Sequence, residues 1–122
     1  MKILLDTNSF LIPGKFKVDI FEQLREEFGK LELYTLDLVV TELKKITKTS
    51  GKDSGYAKLG LELLKRNDVV IIRSGGESAD DEIVRIGNEY LVFTQDKGLI
   101  RKLKVNDIRI ITLRQGKYIS KA

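Results

Sequence analysis

Four acidic residues, far apart along the chain, are the candidates for chemistry in this sequence. Asp6 ends the apolar run KILLD, Glu42 lies within VVTEL, Asp80 within SADDEIV and Asp96 within VFTQD. The sequence contains no histidine and no cysteine, which excludes catalysis and metal ligation by imidazole or thiolate groups. Any catalysis must therefore rest on carboxylates, hydroxyls, amides, lysines or a hard metal ion.

These four carboxylates would repel one another if the fold brought them together. Two carboxylates about 5 Å apart, at an effective dielectric constant near 20, repel by about 3 kcal/mol. A divalent cation is the simplest counter-charge, and ligation by oxygen alone selects Mg²⁺ or Mn²⁺. Such ions bind phosphate groups, activate water and stabilise a leaving oxygen. The acidic set therefore predicts metal-dependent chemistry on a phosphate-containing substrate.

Each of these acids also has a structural explanation. Asp6 and Asp96 both follow apolar runs, where aspartate is common in turns and as a helix N-cap. Glu42 lies beside Leu43 within the apolar stripe of a predicted helix, and a charge on a buried face is costly unless it is paired or binds a cation. The alternative for Glu42 is a position at the edge of the stripe, from which it reaches solvent or Lys45.

The octet ESADDEIV, residues 77–84, concentrates four carboxylates at the start of a predicted helix. Ser78 is a natural N-cap and Asp81 follows three residues later, which resembles a capping box. Asp80 has the helical neighbour Ile83 and is predicted to face inward, which capping does not explain. We therefore predict that Asp80 is the functional acid and that Asp81 is an outer metal ligand or a cap.

Apolar runs alternate with amphipathic runs from end to end, and this alternation indicates an α/β fold. It predicts a three-layer α/β/α arrangement with a central, mostly parallel sheet of five strands, whose carboxyl ends would carry the site. Pro13-Gly14 is predicted to break a short segment, residues 49–55 to form a polar loop, and residues 116–120 to extend an edge. The predicted strands are 2–6, 31–35, 69–73, 91–94 and 108–113, and the predicted helices are 18–29, 38–48, 56–66, 78–90 and 97–104.

The composition fits a compact domain spanning residues 1–122. Hydrophobic residues make up 42% of the 122 and charged residues 33%, which favours a folded protein over a disordered one. No apolar run has the length that spans a membrane, and the first residues do not resemble a signal peptide, so we expect a cytoplasmic protein. The net charge of +4 is compatible with a nucleic-acid partner.

Four segments, taken in order, resemble the PIN-domain nucleases. They are LLDTN (4–8), VVTEL (39–43), SADDEIV (78–84) and VFTQD (92–96). That family includes VapC-type toxins and the PIN endonucleases that process pre-ribosomal RNA, and ADDEIV with TQDKGL looks more like the second branch.

The resemblance implies a PIN-like fold that binds one or two Mg²⁺ or Mn²⁺ ions and hydrolyses single-stranded RNA. It implies that Asp6, Glu42, Asp80 and Asp96 are the acidic set, with Asn8 and Thr94 as polar support residues. It also implies a partner that is either an antitoxin or a ribosome-assembly factor, and small members of the family are commonly homodimers.

Two groups of cations flank the predicted site elements and could bind RNA phosphates. The alternative for each is an ordinary solvated helix face. The first group follows Glu42 and the second follows Asp96. They comprise Lys44, Lys45, Lys48 and Lys52, and then Lys97, Arg101 and Lys102.

Two other classes of protein compete with the nuclease interpretation. One is a receiver domain or a haloacid-dehalogenase-like phosphatase, but KILLD offers one acid where receivers need a pair, and DTN lacks the second acid of the phosphatases. The other is a catalytically inactive PIN-like RNA-binding or scaffold protein. The four filled acidic positions argue against that alternative.

Overall fold

The computed structural model describes all 122 residues of the chain, in six strands and six α-helices. A single 3-10 turn, Gly87–Glu89, follows the fifth helix. None of the helices combines the length and the apolar content needed to cross a bilayer. In chain order the elements are β1 (Lys2–Leu5), α1 (Thr7–Phe16), α2 (Ile20–Phe28), β2 (Glu32–Leu36), α3 (Asp37–Thr47), α4 (Lys52–Arg66), β3 (Val70–Ile72), α5 (Ala79–Ile86), β4 (Leu91–Phe93), α6 (Lys97–Val105), β5 (Ile110–Arg114) and β6 (Tyr118–Lys121).

The sheet has the strand order β3-β2-β1-β4-β5-β6. The first five strands are parallel, and β6 pairs antiparallel with β5. Helices flank this sheet, so the predicted three-layer α/β/α arrangement is confirmed, with six strands instead of five. The strand order reverses at the centre, where β1 lies between β2 and β4. In open parallel sheets, sites form beyond the carboxyl ends of the strands at such a reversal.

The two central strands are buried on both faces. Ile3, Leu4 and Leu5 of β1 are fully buried, as are Val92 and Phe93 of β4. Each strand lacks an alternating polar face because helices cover both sides of the sheet. These strands belong to a core cluster of 26 buried apolar residues. The rigid centre of the molecule therefore ends at Asp6 and Thr94, the first residues after β1 and β4.

Two local predictions about helices were wrong. Pro13 lies inside α1, which continues to Phe16. Residues 52–55 belong to α4, which begins after Gly51 at a φ of 101°. In both cases packing between helices outweighs the local breaker signal, because α1 and α4 lie against each other: Gly14 contacts Tyr56.

The helices α1 and α4 also approach each other closely at Gly60. A Cβ atom placed there would lie 2.4 Å from the main-chain oxygen of Phe10 and 2.9 Å from its Cβ. The backbone of α1 cannot move away easily, since the Phe10 side chain is itself fully buried. The lack of a side chain at Gly60 thus permits this short distance between α4 and α1, the helix that follows Asp6.

We predict that Gly60→Ala lowers the free energy of unfolding by about 1–3 kcal/mol, because the added methyl group overpacks this contact. The matched control is Gly55→Ala, also in α4, where a Cβ would meet nothing within 4 Å. That control should raise stability by about 0.5–1 kcal/mol, the gain in helix propensity. Urea denaturation measures both changes, and equal effects at the two positions would contradict the packing argument.

Candidate active site

The four predicted acids line one cavity of 400 Å³ at the carboxyl edge of the sheet. Asp6 and Asp96 follow the neighbouring parallel strands β1 and β4, Glu42 comes from α3 and Asp80 from α5. The predicted support residue Asn8 lines the same cavity, at the start of α1. The remaining lining residues are Thr7, Ile46, Glu77, Ser78, Ala79 and Ile83.

Asp6 is the buried acid of the group, with 5% of its surface exposed. It caps α1: its Oδ1 accepts a hydrogen bond from the Ser9 amide at 2.9 Å and lies 2.7 Å from Ser9 Oγ. Its Oδ2 accepts a hydrogen bond from the Thr94 hydroxyl. Burial raises the pKa of Asp6, and the hydrogen bonds from Thr94 and Ser9 offset part of that rise. Sequence reasoning missed Ser9, whose spacing of three from Asp6 is the capping signal that could have identified it.

Thr94 links two of the acids although it does not line the cavity. It is fully buried, and its Oγ1 donates to Asp6 and accepts a hydrogen bond from the Asp96 amide at 3.1 Å. Asp96 in turn caps α6, because its Oδ1 accepts from the Leu99 amide at 2.9 Å. Both aspartates are therefore helix caps and cavity residues at once, so the two explanations weighed for them are not exclusive.

Glu42 is an exposed residue, so the prediction that it lies on a buried helix face was wrong. Val39 and Leu43 are fully buried, and Glu42 lies at the edge of their stripe, where α3 borders the cavity. The Thr7 hydroxyl donates a 2.7 Å hydrogen bond to Glu42 Oε2. Thr7 was not among the predicted residues, since its partner is 35 positions away.

Asp80 is half-buried in the first turn of α5, in agreement with the prediction that it faces inward. Its pKa is raised by burial first, then by the negative charge of Asp96, with smaller contributions from Glu42 and Asp81. The Lys102 ammonium acts in the opposite direction and lowers it. The neighbouring acids therefore act on Asp80 across the cavity.

Asp81 lies outside the cavity lining, with its side chain 75% exposed and its Oδ1 4.0 Å from Lys102 Nζ. Its amide donates to Ser78 Oγ at 3.3 Å, so Ser78 is the N-cap that the sequence predicted. This position favours the cap-region explanation of Asp81 over the outer-ligand one. Glu77 does line the cavity, although it was not among the site residues predicted from the sequence. Its only signal was membership of the acidic octet.

The side-chain atoms that could bind a metal ion in the cavity are oxygens of acids, hydroxyls and the Asn8 amide. No lysine or arginine is among the lining residues. Five carboxylates therefore share a polar cleft without a cation in contact with it, which is the setting that suits Mg²⁺ or Mn²⁺. As the side chains are placed, no three acidic groups are gathered tightly enough to coordinate one ion. The residue types and their location fit a hard divalent ion, and the side chains would need to draw together around it.

The seven predicted RNA-binding cations are exposed, and none of them lines the cavity. Lys102 is the one that approaches the acids, through its 4.0 Å contact with Asp81. A larger cavity of 480 Å³ lies at the opposite edge of the sheet, between Phe28, Leu91 and Ile119. It is mainly apolar and contains a single acid, Glu27, so it offers no comparable chemistry.

Two solved structures resemble this fold over nearly its whole length. The PIN domain endonuclease Utp24 matches with a TM-score of 0.80 and 25% identity, covering 98% of this chain and 90% of that one. A domain of a functionally unknown protein from Methanocaldococcus jannaschii matches with a TM-score of 0.63 and 17% identity, covering 93% and 91%. The second likeness concerns the fold alone.

Sequence comparison points in the same direction. Ribonuclease VapC4 of Methanocaldococcus jannaschii is 29% identical over 124 aligned residues, which cover 96% of this chain and 93% of that protein. The family model described as a PIN like domain matches residues 3–116. This match includes all four cavity acids predicted from the sequence. The chain belongs to the PIN-domain nuclease family.

Proposed function

We propose that the protein is an Mg²⁺- or Mn²⁺-dependent endoribonuclease that hydrolyses phosphodiester bonds in single-stranded RNA. The observation that carries the proposal is that Asp6, Glu42, Asp80 and Asp96, from four different elements, line one cavity that no cationic side chain lines. Its relatives named as a ribonuclease and a PIN domain endonuclease support this chemistry. In this proposal residues 1–122 act as one PIN-like domain.

The proposed roles follow from the support that each acid receives. Asp6 and Asp96 hold the principal ion, and Thr94 fixes their relative positions by bonding to both residues. Asp80 lies beside them. Glu42, oriented by the Thr7 hydroxyl, holds a second ion or orients the attacking water. A bound divalent ion would neutralise the acids, activate water and stabilise the leaving oxygen.

The catalytically inactive scaffold is the alternative function, and the four acids that line one cavity argue against it. Burying a carboxylate costs stability, as the raised pKa of Asp6 reflects. Asp80 adds to that cost, because its pKa is raised by burial and by the neighbouring acids. Capping of α1 explains Asp6 in a scaffold, but it does not explain why Glu42, Asp80 and Asp96 line the same cavity, whereas a metal-dependent nuclease needs all four acids.

The RNA is proposed to approach along α6, where Lys97, Arg101 and Lys102 are exposed next to Asp96. Lys102 is close enough to the acids to lower the pKa of Asp80. Exposed lysines on and after α3 offer a second phosphate-binding surface on the other side of Glu42: Lys44, Lys45, Lys48 and Lys52. An antitoxin or a ribosome-assembly factor as partner stays a prediction of the family resemblance.

We predict that the purified protein cleaves labelled single-stranded RNA with Mn²⁺ and not with EDTA. Asp6→Asn should lower that rate by about 100-fold or more, because it removes a charge at the reacting centre. The control is Asp19→Asn, which alters another capping aspartate, bonded to the Glu22 amide at 3.0 Å and outside the cavity. Equal cleavage by wild type and Asp6→Asn would refute the proposed site.

We predict that Asp80→Asn raises the melting temperature in EDTA by about 1–2 °C, because it removes a half-buried charge repelled by neighbouring acids, while solvent screening and the lost attraction of Lys102 keep the gain small. The folded-state pKa of Asp80 lies above its ordinary value of 3.8, so the charged form costs stability at neutral pH. The gain should therefore be full at pH 7, shrink as the pH falls through the raised pKa, and vanish below pH 3.8.

The control for this experiment is Asp81→Asn, whose exposed side chain should leave the melting temperature within about 1 °C. Mn²⁺ should raise the melting temperature of wild type and have a smaller effect on Asp80→Asn, since a ligand that binds only the folded state stabilises it. A lower melting temperature of Asp80→Asn than of wild type in EDTA would contradict the prediction.

We predict that replacing Lys97, Arg101 and Lys102 together by glutamine weakens RNA binding by about tenfold at low salt. It should also reduce the slope of log affinity against log salt by about 2, since three phosphate contacts on single strands contribute about 0.7 each. Binding is measured by fluorescence anisotropy in EDTA, so that cleavage does not interfere.

The matched control replaces three exposed cations at the opposite edge of the sheet, where the strands begin. Each precedes a strand by a few residues: Lys30, Lys65 and Arg109. It makes the same change in net charge. Equal losses in the two triple variants would show that overall charge, and not the α6 surface, governs RNA binding.

A further inference from the structure

Asp37, the first residue of α3, ties that helix to a distant loop. Its Oδ1 accepts hydrogen bonds from the Leu38 amide at 2.8 Å, the Ser74 amide at 3.2 Å and the Ser74 hydroxyl at 2.9 Å. Ser74 lies 37 residues further along the chain, just after β3. One carboxylate oxygen therefore holds together the start of α3 and the start of the segment that joins β3 to α5.

These two backbones carry acids to the cavity. Glu42 is five positions after Asp37 on the same helix, a rise of about 7.5 Å. On the other backbone, Glu77 and Ser78 line the cavity and lead directly into the first turn of α5, which presents Asp80. The Asp37–Ser74 contact thus joins the two chain segments that bring Glu42 and Glu77 to the same cleft.

A second contact fixes the same loop from α5. A Cβ atom at Gly76 would lie 2.6 Å from Cγ and Cδ of Glu82, so the Glu82 side chain lies directly against this glycine. That side chain is 14% exposed and pairs with Arg85, Oε2 to Nη2, at 2.6 Å. Gly75 stands between the two contacts with a φ of 73°, a conformation that glycine adopts without strain. The loop is therefore held at Ser74 and at Gly76, immediately before Glu77.

The charged form of Asp37 is the one that makes these contacts. Hydrogen bonds from the Ser74 hydroxyl and amide lower the pKa of Asp37, because they favour its charged form. Asp37 itself does not line the cavity, so it would act only through the loop and the helix it connects.

We propose that Asp37 is a positioning residue of the candidate active site. By binding Ser74 it holds the loop between β3 and α5, residues 73–78, so that Glu77 lies at a set distance from Glu42. This inference rests on the proposed function, because its consequence is the affinity of the cleft for a divalent ion. Partners that hydrogen-bond metal ligands typically change metal affinity by about 10–100-fold when they are replaced, and Asp37, which acts through the backbone, is expected at the lower end of that range.

The test combines Mn²⁺ titration calorimetry with amide hydrogen exchange on the full chain. Asp37→Ala should weaken Mn²⁺ binding by about tenfold and speed exchange of the Ser74 amide, which loses its acceptor. Asp37→Asn keeps an oxygen at the same place and should stay within about threefold of wild type. The control is Asp19→Ala, which removes a capping carboxylate of α2 outside the cavity and should leave Mn²⁺ affinity unchanged.

The outcomes separate this inference from the function on which it rests. If wild type binds no Mn²⁺, the proposed function fails, and the role of Asp37 in metal affinity fails with it. If wild type binds Mn²⁺ but Asp37→Ala binds it as tightly as Asp19→Ala does, only the positioning role is overturned, even where both variants melt at a lower temperature. Faster Ser74 exchange together with weaker Mn²⁺ binding supports it.

Discussion

The buried carboxylate of Asp6 is the interaction on which the rest of the site depends. It stands where the rigid centre of the sheet ends, and it accepts hydrogen bonds from Ser9 on α1 and from Thr94 beyond β4. Removing a carboxylate from water is costly, and these donors offset that cost only in part, since burial still raises the pKa of Asp6. The geometry that satisfies Asp6 also fixes the ends of two adjacent strands and the start of a helix.

The parallel direction of the strands explains why acidic residues collect at this cavity. Parallel strands bring their carboxyl ends to one edge, so acids that follow β1 and β4 must be neighbours once the sheet forms. α3 and α5 then add Glu42 and Asp80 from either side, and burial and the neighbouring acids raise the pKa of Asp80. Burial of 26 apolar residues in the core offsets the free energy that the repulsion between these acids costs. The fold therefore tolerates a cleft lined by carboxylates, and a bound cation would reduce the repulsion between them.

The periodic features of the sequence were sufficient to predict the layer architecture and the positions of Asp6 and Asp96 after their strands, because strand burial and strand ends are local properties. Features that depend on a distant partner were not predictable. Pro13 remains helical because α1 packs on α4, and Glu42 borders the cavity while exposed because Thr7 bonds to it from 35 positions away. Glu77 lines the cavity through a loop whose anchor, Asp37, bears no local mark of that role.

Capping and chemistry were weighed as alternatives for the aspartates, and the structure shows why they coincide. A cap engages one carboxylate oxygen: Asp96 Oδ1 binds the Leu99 amide, and Oδ2 receives no hydrogen bond from the protein. The cap fixes the Asp96 side chain and the helix N-terminus favours its negative charge, so its second oxygen can face another positive group. At Asp6 the second oxygen accepts the Thr94 hydroxyl, and the side chain still lines the cavity. At α5 the hydroxyl of Ser78 takes the capping role instead, which leaves Asp80 free of it. A sequence pattern that explains an acid structurally is therefore no argument against its function at the carboxyl edge of a parallel sheet.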